Sequence, residues 1–234
     1  MDGTIHYIKQ ATSTQHAARR LIEVGIAKMG DVVVADQQTS GRGRFGRSWI
    51  SPRGGLYVTA ILPTDPLLSL KAGLALVRIL RAASIPAGLK WPNDVLVDDR
   101  KIAGILTESD GVHSLVGIGL NLMLAPLETA TCVAAFTDAI DRDEWAENIV
   151  SALAITAKGA LDLDAYREAC STLGRRVRVE AVSGCSPIEG LATDVDGEGR
   201  LIVMTVDGEK TVASGECFHL MPSALTVDPV TESQ

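Results

Sequence analysis

Excess positive charge, long apolar runs, paired cysteines and abundant aromatics are all missing from this sequence. Lys and Arg total 22 against 29 Asp and Glu, a formal net charge of -7. That balance excludes a protein that coats nucleic acid through a broad basic face. No stretch approaches the roughly 18 apolar residues of a membrane span, and no basic-then-apolar leader opens the chain. The expected location is the cytoplasm, with no membrane and no DNA partner. Cys132, Cys170, Cys185 and Cys217 form no C-x-x-C pair, which argues for reduced, unconnected thiols over a zinc or redox motif. Aromatic residues make up 4% of the chain, too few for a platform that stacks bases.

Apolar content, at 46% of 234 residues, supplies a core for one large domain or a medium and a small one. Strand-like and helix-like periods alternate through residue 170, the pattern of an α/β (α+β) unit. "IHYI", "DVVVA", "GGLYVTAIL" and "SLVGIGLNL" read as strands, and "DVLV" and "KIAGIL" as a hairpin turning at Asp98 and Asp99. The first helix carries a capping-box spacing at Thr12 and Gln15 and a stop at Gly30. "LLSLKAGLALVRILRAAS" reads as a largely buried helix, and residues 138–172 as helical. After Gly174 short strands alternate with Gly and Asp turns, predicting a small barrel. The expected boundaries are 1–172, a barrel over 173–222 and a frayed tail over 223–234.

Against the acidic background, "TSGRGRFGRSW" concentrates Arg42, Arg44 and Arg47 among glycines, and no Asp or Glu occurs between Gln37 and Thr64. Glycine allows close backbone approach, and each guanidinium offers a fork of donors matched to phosphate or carboxylate oxygens. The string is neither a P-loop nor a G-x-G-x-x-G that opens a helix. An anion cradle, a solvated surface turn and an RGG-like nucleic-acid segment all fit it. In "LKWPND", Lys90 precedes a Trp91-Pro92 break, which fits a functional ammonium or an ordinary strand-end lysine. Gly104, Gly117 and Gly119 mark strand positions where a backbone comes close to something, and Asn121 adds an amide that both donates and accepts.

Taken in order, "STQ", "QTSGRGRFGRSW", "KWPNDV", "KIAGIL" and "GIGLN" resemble the biotin protein ligase family over nearly the whole chain. The resemblance implies a mixed-sheet biotin/lipoate ligase-like catalytic domain followed by an SH3-like barrel. It implies ATP-dependent conversion of biotin to biotinyl-5'-AMP, then transfer of biotin to a lysine of a biotin carboxyl carrier protein. The catalytic pattern starts within about ten residues of Met1, so the expectation is a ligase without the repressor function of the family's dual-function members.

By position, the resemblance implies that Arg42, Arg44 and Lys90 hold the carboxylate and phosphate. Ser13, Thr14, Gln15 and Gln38 fall at the ureido head of biotin, with the backbone of Gly41, Gly43, Gly104, Gly117 and Gly119 beside it. Arg47, Trp49, Asn93 and Asn121 fall to ATP, with Trp49 packed on adenine and Asn121 at its edge. Magnesium is expected on the ATP phosphates, with Asp94 as its protein contact. Gln15 stands where the family usually has Asn, which adds a methylene and leaves its contact with biotin open. A lipoate ligase or acyltransferase of the same fold is the nearest rival, and a nucleic-acid-binding module is the rival from another class. The pairing of two chains into a homodimer and the contribution of the barrel are left open.

Overall fold

The computed structural model describes residues 3–180 and 186–220. The expected tail, the last two residues of the expected barrel and Cys185 lie outside the described residues. A seven-stranded sheet comprises β1 (Ile5–Ile8), β2 (Val32–Ala35), β3 (Leu56–Pro63), β4 (Gly88–Lys90), β5 (Asp94–Val97), β6 (Arg100–Ser109) and β7 (His113–Leu120). Their spatial order is β1-β2-β3-β7-β6-β5-β4. β1 and β2 run parallel and the other neighbours antiparallel, which makes the sheet mixed.

Four helices, α1 (Thr14–Glu23), α2 (Leu68–Ala82), α3 (Arg142–Thr156) and α4 (Leu163–Ala169), accompany this sheet. Because side chains alternate across a strand, β2 sends Val33 to one face and Val32 and Val34 to the other. Val33 packs with Ala18 of α1, Ile61 and Leu115, while Val32 and Val34 join a larger cluster with Leu76, Leu80 and Ile149 of α2 and α3. Covered on both faces, "VVVA" is buried throughout, as its unbroken apolar run requires.

Two helix boundaries differ from expectation. Ser13, not Thr12, caps α1, its Oγ accepting from His16 N at 3.0 Å. The helix ends at Glu23, because Gly25, five residues before the expected stop at Gly30, takes the left-handed conformation (φ 71°) that closes a helix. The segment 138–172 divides into α3 and α4, each started by an aspartate cap, Asp141 and Asp162.

β8 (Arg176–Glu180), β9 (Ile188–Val195), β10 (Leu201–Thr205), β11 (Gly208–Val212) and β12 (Glu216–His219) form a second, antiparallel sheet in the order β11-β10-β9-β8-β12. Its inward residues Val177, Val179, Ala192 and Leu201 belong to the same apolar cluster as Leu89 and Trp91 of the first unit. Arg167 grips Asp194 with two nitrogens, at 2.7 and 2.9 Å, and Arg175 meets Asp99 at the β5–β6 turn at 2.7 Å. A shared core and these ion pairs hold this second, barrel-like sheet against the first unit.

The N-terminal edge is fastened by Asp31, 2% exposed, which accepts from Thr4 N at 2.9 Å and Lys28 N at 3.0 Å and contacts His6 Nε2 at 3.3 Å. Burial works to raise its pKa, but the three donors together hold it below the usual carboxylate value. Its stabilising effect is therefore full above the unfolded value near 3.8 and is lost as pH falls through the lower folded value. Asp31→Ala should cost about 3 kcal/mol in urea unfolding at pH 7, because it orphans buried donors.

Candidate active site

The floor of the site is glycine. Gly104 of β6 lies directly opposite Gly119 of β7, and Leu106 opposite Gly117. Gly117 and Gly119 share the strand parity of Leu115, so they lie on the face covered by α1, beyond its N-terminus. Without side chains at these positions the sheet is indented, and a cavity of about 280 Å³ opens above it.

The indole of Trp49 lies on this floor. A Cβ on Gly119 would fall 2.4 Å from Trp49 Nε1, and one on Gly104 would fall 3.1 Å from Trp49 Cζ3. The ammonium of Lys101 sits over the ring, 5.1 Å from its centroid. Trp49 Nε1 is buried and has no hydrogen-bond partner among the described residues.

One end of the cavity is polar and ordered from within. Gln38 Oε1 accepts from Thr14 N at 2.8 Å and from Thr14 Oγ1 at 3.2 Å, while Thr59 Oγ1 donates to Thr14 Oγ1 at 2.8 Å. Gln38 Nε2 donates to Ser51 Oγ at 2.8 Å, leaving its second hydrogen free. Gln15 Nε2 donates to the carbonyls of Leu106 (2.8 Å) and Leu115 (3.1 Å), which fixes the orientation of its amide. Gln15 Oε1 is left without a partner. This end thus combines spare donors with a spare acceptor.

The other end is cationic. Residues 41–49 form a narrow hairpin in which Trp49 N donates to Gly41 O (2.9 Å) and Gly43 N to Arg47 O (2.8 Å). A 3-10 turn at Arg44–Gly46 closes it, with Phe45 in the left-handed region (φ 56°). That conformation brings the Phe45 ring under the Arg44 guanidinium, 4.6 Å from centroid to Cζ. Arg44 Nη1 then donates to Asn93 Oδ1 at 2.8 Å and to Gly215 O of the barrel at 3.2 Å. Burial pulls the Arg44 pKa down, with Asp94 acting against it. Arg47 pairs with Glu216 of the barrel, and Arg42 lies 3.9 Å from Glu108.

Asn93 is held by its own bonds, Nδ2 to Ile105 O at 3.1 Å and to Asp94 Oδ1 at 3.3 Å. Asp94 pairs with Lys101 at 2.6 Å. Lys90 lines the cavity with no ion pair or hydrogen bond among the described residues, close enough to Cys217 and His219 of the barrel to act on both. Burial pushes the Cys217 thiol up to about 12, Lys90 opposing. His219 is pushed down to about 4, first by burial and then by Lys90 and Arg175. An unfolded chain takes up this proton near pH 6.5 and the folded one refuses it until about 4, so stability falls as pH drops through that window. His219→Gln should flatten that loss, measured by urea unfolding at pH 7 and pH 5.

Ser13, Thr14, Gln15, Gln38, Arg42, Gly43, Arg44, Arg47, Trp49, Lys90, Asn93, Asp94, Gly104, Gly117 and Gly119 all line this one cavity. Gly41 lines an adjoining hollow with Arg42 and Trp49. Asn121 is not brought to the lining: it is 5% exposed and its amide donates to the carbonyls of Lys101 (3.3 Å) and Thr131 (3.0 Å). Trp49 meets Gly104, Gly119 and Lys101. Asp94 is engaged by Lys101, and no cluster of three or more potential metal ligands occurs among the described residues. The fit to a cation from this chain is thus a single carboxylate, and magnesium fits better as part of the nucleotide substrate than as a resident ion.

Sequence reasoning missed Lys101 and the barrel residues Gly215, Glu216 and Cys217, all on the cavity wall. Leu96 pairs with Lys101 and Val95 with Ala103, so β6 carries one extra residue and Lys101 turns to the face of Gly104. Simple alternation puts those two residues on opposite faces. No local signal marks Gly215–Cys217, which reach the site only through packing of the barrel.

Residues 7–122 match the Biotin/lipoate A/B protein ligase family, and residues 172–220 match the Biotin protein ligase C terminal domain. The chain is 34% identical over 213 residues to a Mycobacterium tuberculosis biotin--[acetyl-CoA-carboxylase] ligase, covering 82% of this chain and 79% of that protein. It is 33% identical to the Paracoccus denitrificans enzyme of the same name, covering 80% of this chain and 89% of that one. Among solved structures, the Aquifex aeolicus biotin protein ligase in complex with biotin and ATP superposes with a TM-score of 0.81 at 30% identity, covering 92% of this chain and 97% of that chain. With both segments matched and more than three quarters of the tuberculosis enzyme covered at 34% identity, the chain belongs to the biotin protein ligase family.

Proposed function

We propose that this ligase joins the carboxylate of biotin to the α-phosphate of ATP and passes the biotinyl group to a lysine of a carrier protein. In the first step a carboxylate oxygen bonds to the α-phosphorus, the α–β phosphoanhydride bond breaks and pyrophosphate leaves with magnesium. In the second, a lysine amine attacks the acyl carbon, AMP leaves and the amine loses a proton. The observation that carries this reading is the juxtaposition of Arg44 and Lys90, neither in an ion pair among the described residues, with a polar pocket that holds spare donors and a spare acceptor.

Carboxylate and triphosphate repel each other, so their approach needs fixed positive charge already in place. Arg44, held by Phe45, Asn93 and Gly215, and Lys90 supply it, with Arg42 at the mouth. The polar end favours a cyclic urea, whose carbonyl takes the free donors of Ser13 and Gln38 and whose N–H meets Gln15 Oε1. The dithiolane ring of lipoate offers no such partners, and a site built for hydrogen bonds rejects a ligand that leaves them unmade. Trp49 and Asn121 serve the ligand differently, Trp49 as a wall with a free Nε1–H, Asn121 as a brace of the segment beside the nucleotide. The fit is to a carrier of the acetyl-CoA carboxylase type, as in the relatives' names, and to work in the cytoplasm. No helix among the described residues is long and apolar enough to cross a membrane.

Pyrophosphate exchange into ATP tests the reading. Exchange dependent on biotin and absent with lipoate is expected. Exchange with lipoate alone would favour the lipoate enzyme, and none with either would favour a binding module.

A further inference from the structure

Besides the arginine hairpin, the ion pairs and the shared core, the barrel reaches the catalytic unit next to Lys90. Lys90 ends β4, a three-residue strand at the edge of the sheet, paired only with β5. On its open side Leu89 O accepts from Ser171 N and Ser171 Oγ, both at 2.8 Å. On the other flank Trp91, 1% exposed, donates its backbone N–H to Thr172 Oγ1 at 3.0 Å and its indole N–H to the carbonyl of Gly199 at 2.9 Å. Gly199 belongs to the turn between β9 and β10, and His219 of β12 meets Thr172 Oγ1 at 3.0 Å. Both residues that flank Lys90 are thus gripped from outside the sheet, while the Lys90 side chain has no hydrogen bond or ion pair among the described residues.

We propose that Thr172 and Trp91 are positioning residues for Lys90, through which the C-terminal barrel sets the geometry of adenylate formation. A lysine on four rotatable bonds with no partner is defined only by where its backbone stands. A short edge strand is the part of a sheet least able to define it. The two bonds of Trp91 convert that edge into a fixed mount, tied to the barrel turn by the indole and to the start of the barrel segment by the backbone. A displacement of about 1 Å at such a group costs on the order of a hundredfold in rate. This inference rests on the assignment of Lys90 to the developing charge.

The test uses the full chain, with kcat and KM for biotin and ATP measured by pyrophosphate exchange in Thr172→Val, Thr172→Ser, Trp91→Phe and Lys90→Met. Positioning predicts a kcat at least about tenfold lower in Thr172→Val and Trp91→Phe, KM for biotin within about twofold, and kcat restored in Thr172→Ser, which keeps the acceptor. It also predicts that Thr172→Val costs no further activity in a Lys90→Met background, since there is no ammonium left to place. Wild-type kcat in Thr172→Val beside an impaired Lys90→Met, or the same fold loss in both backgrounds, overturns the positioning role alone. Wild-type kcat in Lys90→Met overturns the assignment of Lys90 and this inference with it. If Trp91→Phe does not fold, the Thr172 pair decides.

Discussion

Arg44→Gly should slow formation of biotinyl-adenylate by about 10²–10³, the usual cost of removing one preorganised donor, and should let the adenylate escape. The reason lies in how the guanidinium is held: Phe45 below, Asn93 Oδ1 at 2.8 Å and Gly215 O at 3.2 Å. All these contact partners are neutral, so the guanidinium is oriented without an ion pair, although Asp94 and Glu216 act on it from nearby. An anion entering the cavity is free to take the place of the Gly215 carbonyl, so the same arginine that aligns the reactants is free to cover their product. Arg44→Lys should not restore the rate, because an ammonium cannot stack on Phe45 and reach Asn93 as a planar fork does. Burst measurements of retained adenylate, with labelling of a bystander protein, check this. Escaped adenylate reacts with exposed amines, so Arg44→Gly is expected to label the bystander, and an adenylate lifetime equal to wild type would contradict the account.

Gly119→Ala should cost at least about a hundredfold in kcat/KM for biotin, through geometry and without touching any charge. The added methyl would lie 2.4 Å from Nε1 and 2.6 Å from Cε2 of Trp49. An indole is broad and stiff, so contacts this short drive the whole ring off the floor and into the space meant for the ligand. Strand β7 itself accepts alanine readily, since Gly119 sits in regular pairing with Tyr57 and Gly104. Unfolding stability should therefore change far less than activity. Removing the ring as well, in Gly119→Ala with Trp49→Ala, should cost less than the sum of the two single changes. Additive losses would show that the glycine and the tryptophan act separately.

Much of this arrangement was legible in the sequence, for identifiable reasons. Alternation and apolar runs placed β1, β2, β3, β5, β6 and β7, and the two aspartates at 98 and 99 placed the β5–β6 hairpin turn, where both adopt positive φ. The arginine-glycine string, "KWPND" and "GIGLN" marked residues that do converge on one cavity, because each sits at a strand end or on a glycine floor of the same sheet. What stayed hidden depends on distant contacts. Lys101 reaches the site only because a bulge shifts its parity. Asn121 looked like a ligand contact, but its amide is used by Lys101 and Thr131 carbonyls from a segment whose position the sequence does not set. Phe45 in the midst of the arginines had no assigned role, and its left-handed backbone gives it one as the platform for Arg44. Gly199, Gly215 and Glu216 belong to the barrel, and nothing near them in the chain announces that they meet Trp91, Arg44 and Arg47.

The central claim is that Arg44 and Lys90 bring a carboxylate and an α-phosphate together at the cationic end of the cavity. A crystal structure with a non-hydrolysable analogue of biotinyl-5'-AMP tests it most directly. The account predicts the acyl-phosphate linkage within hydrogen-bonding distance of Arg44 and Lys90, the ureido ring between Ser13, Gln15 and Gln38, and Arg44 released from Gly215. A linkage held elsewhere, with Arg44 still bonded to both Asn93 and Gly215, would contradict it.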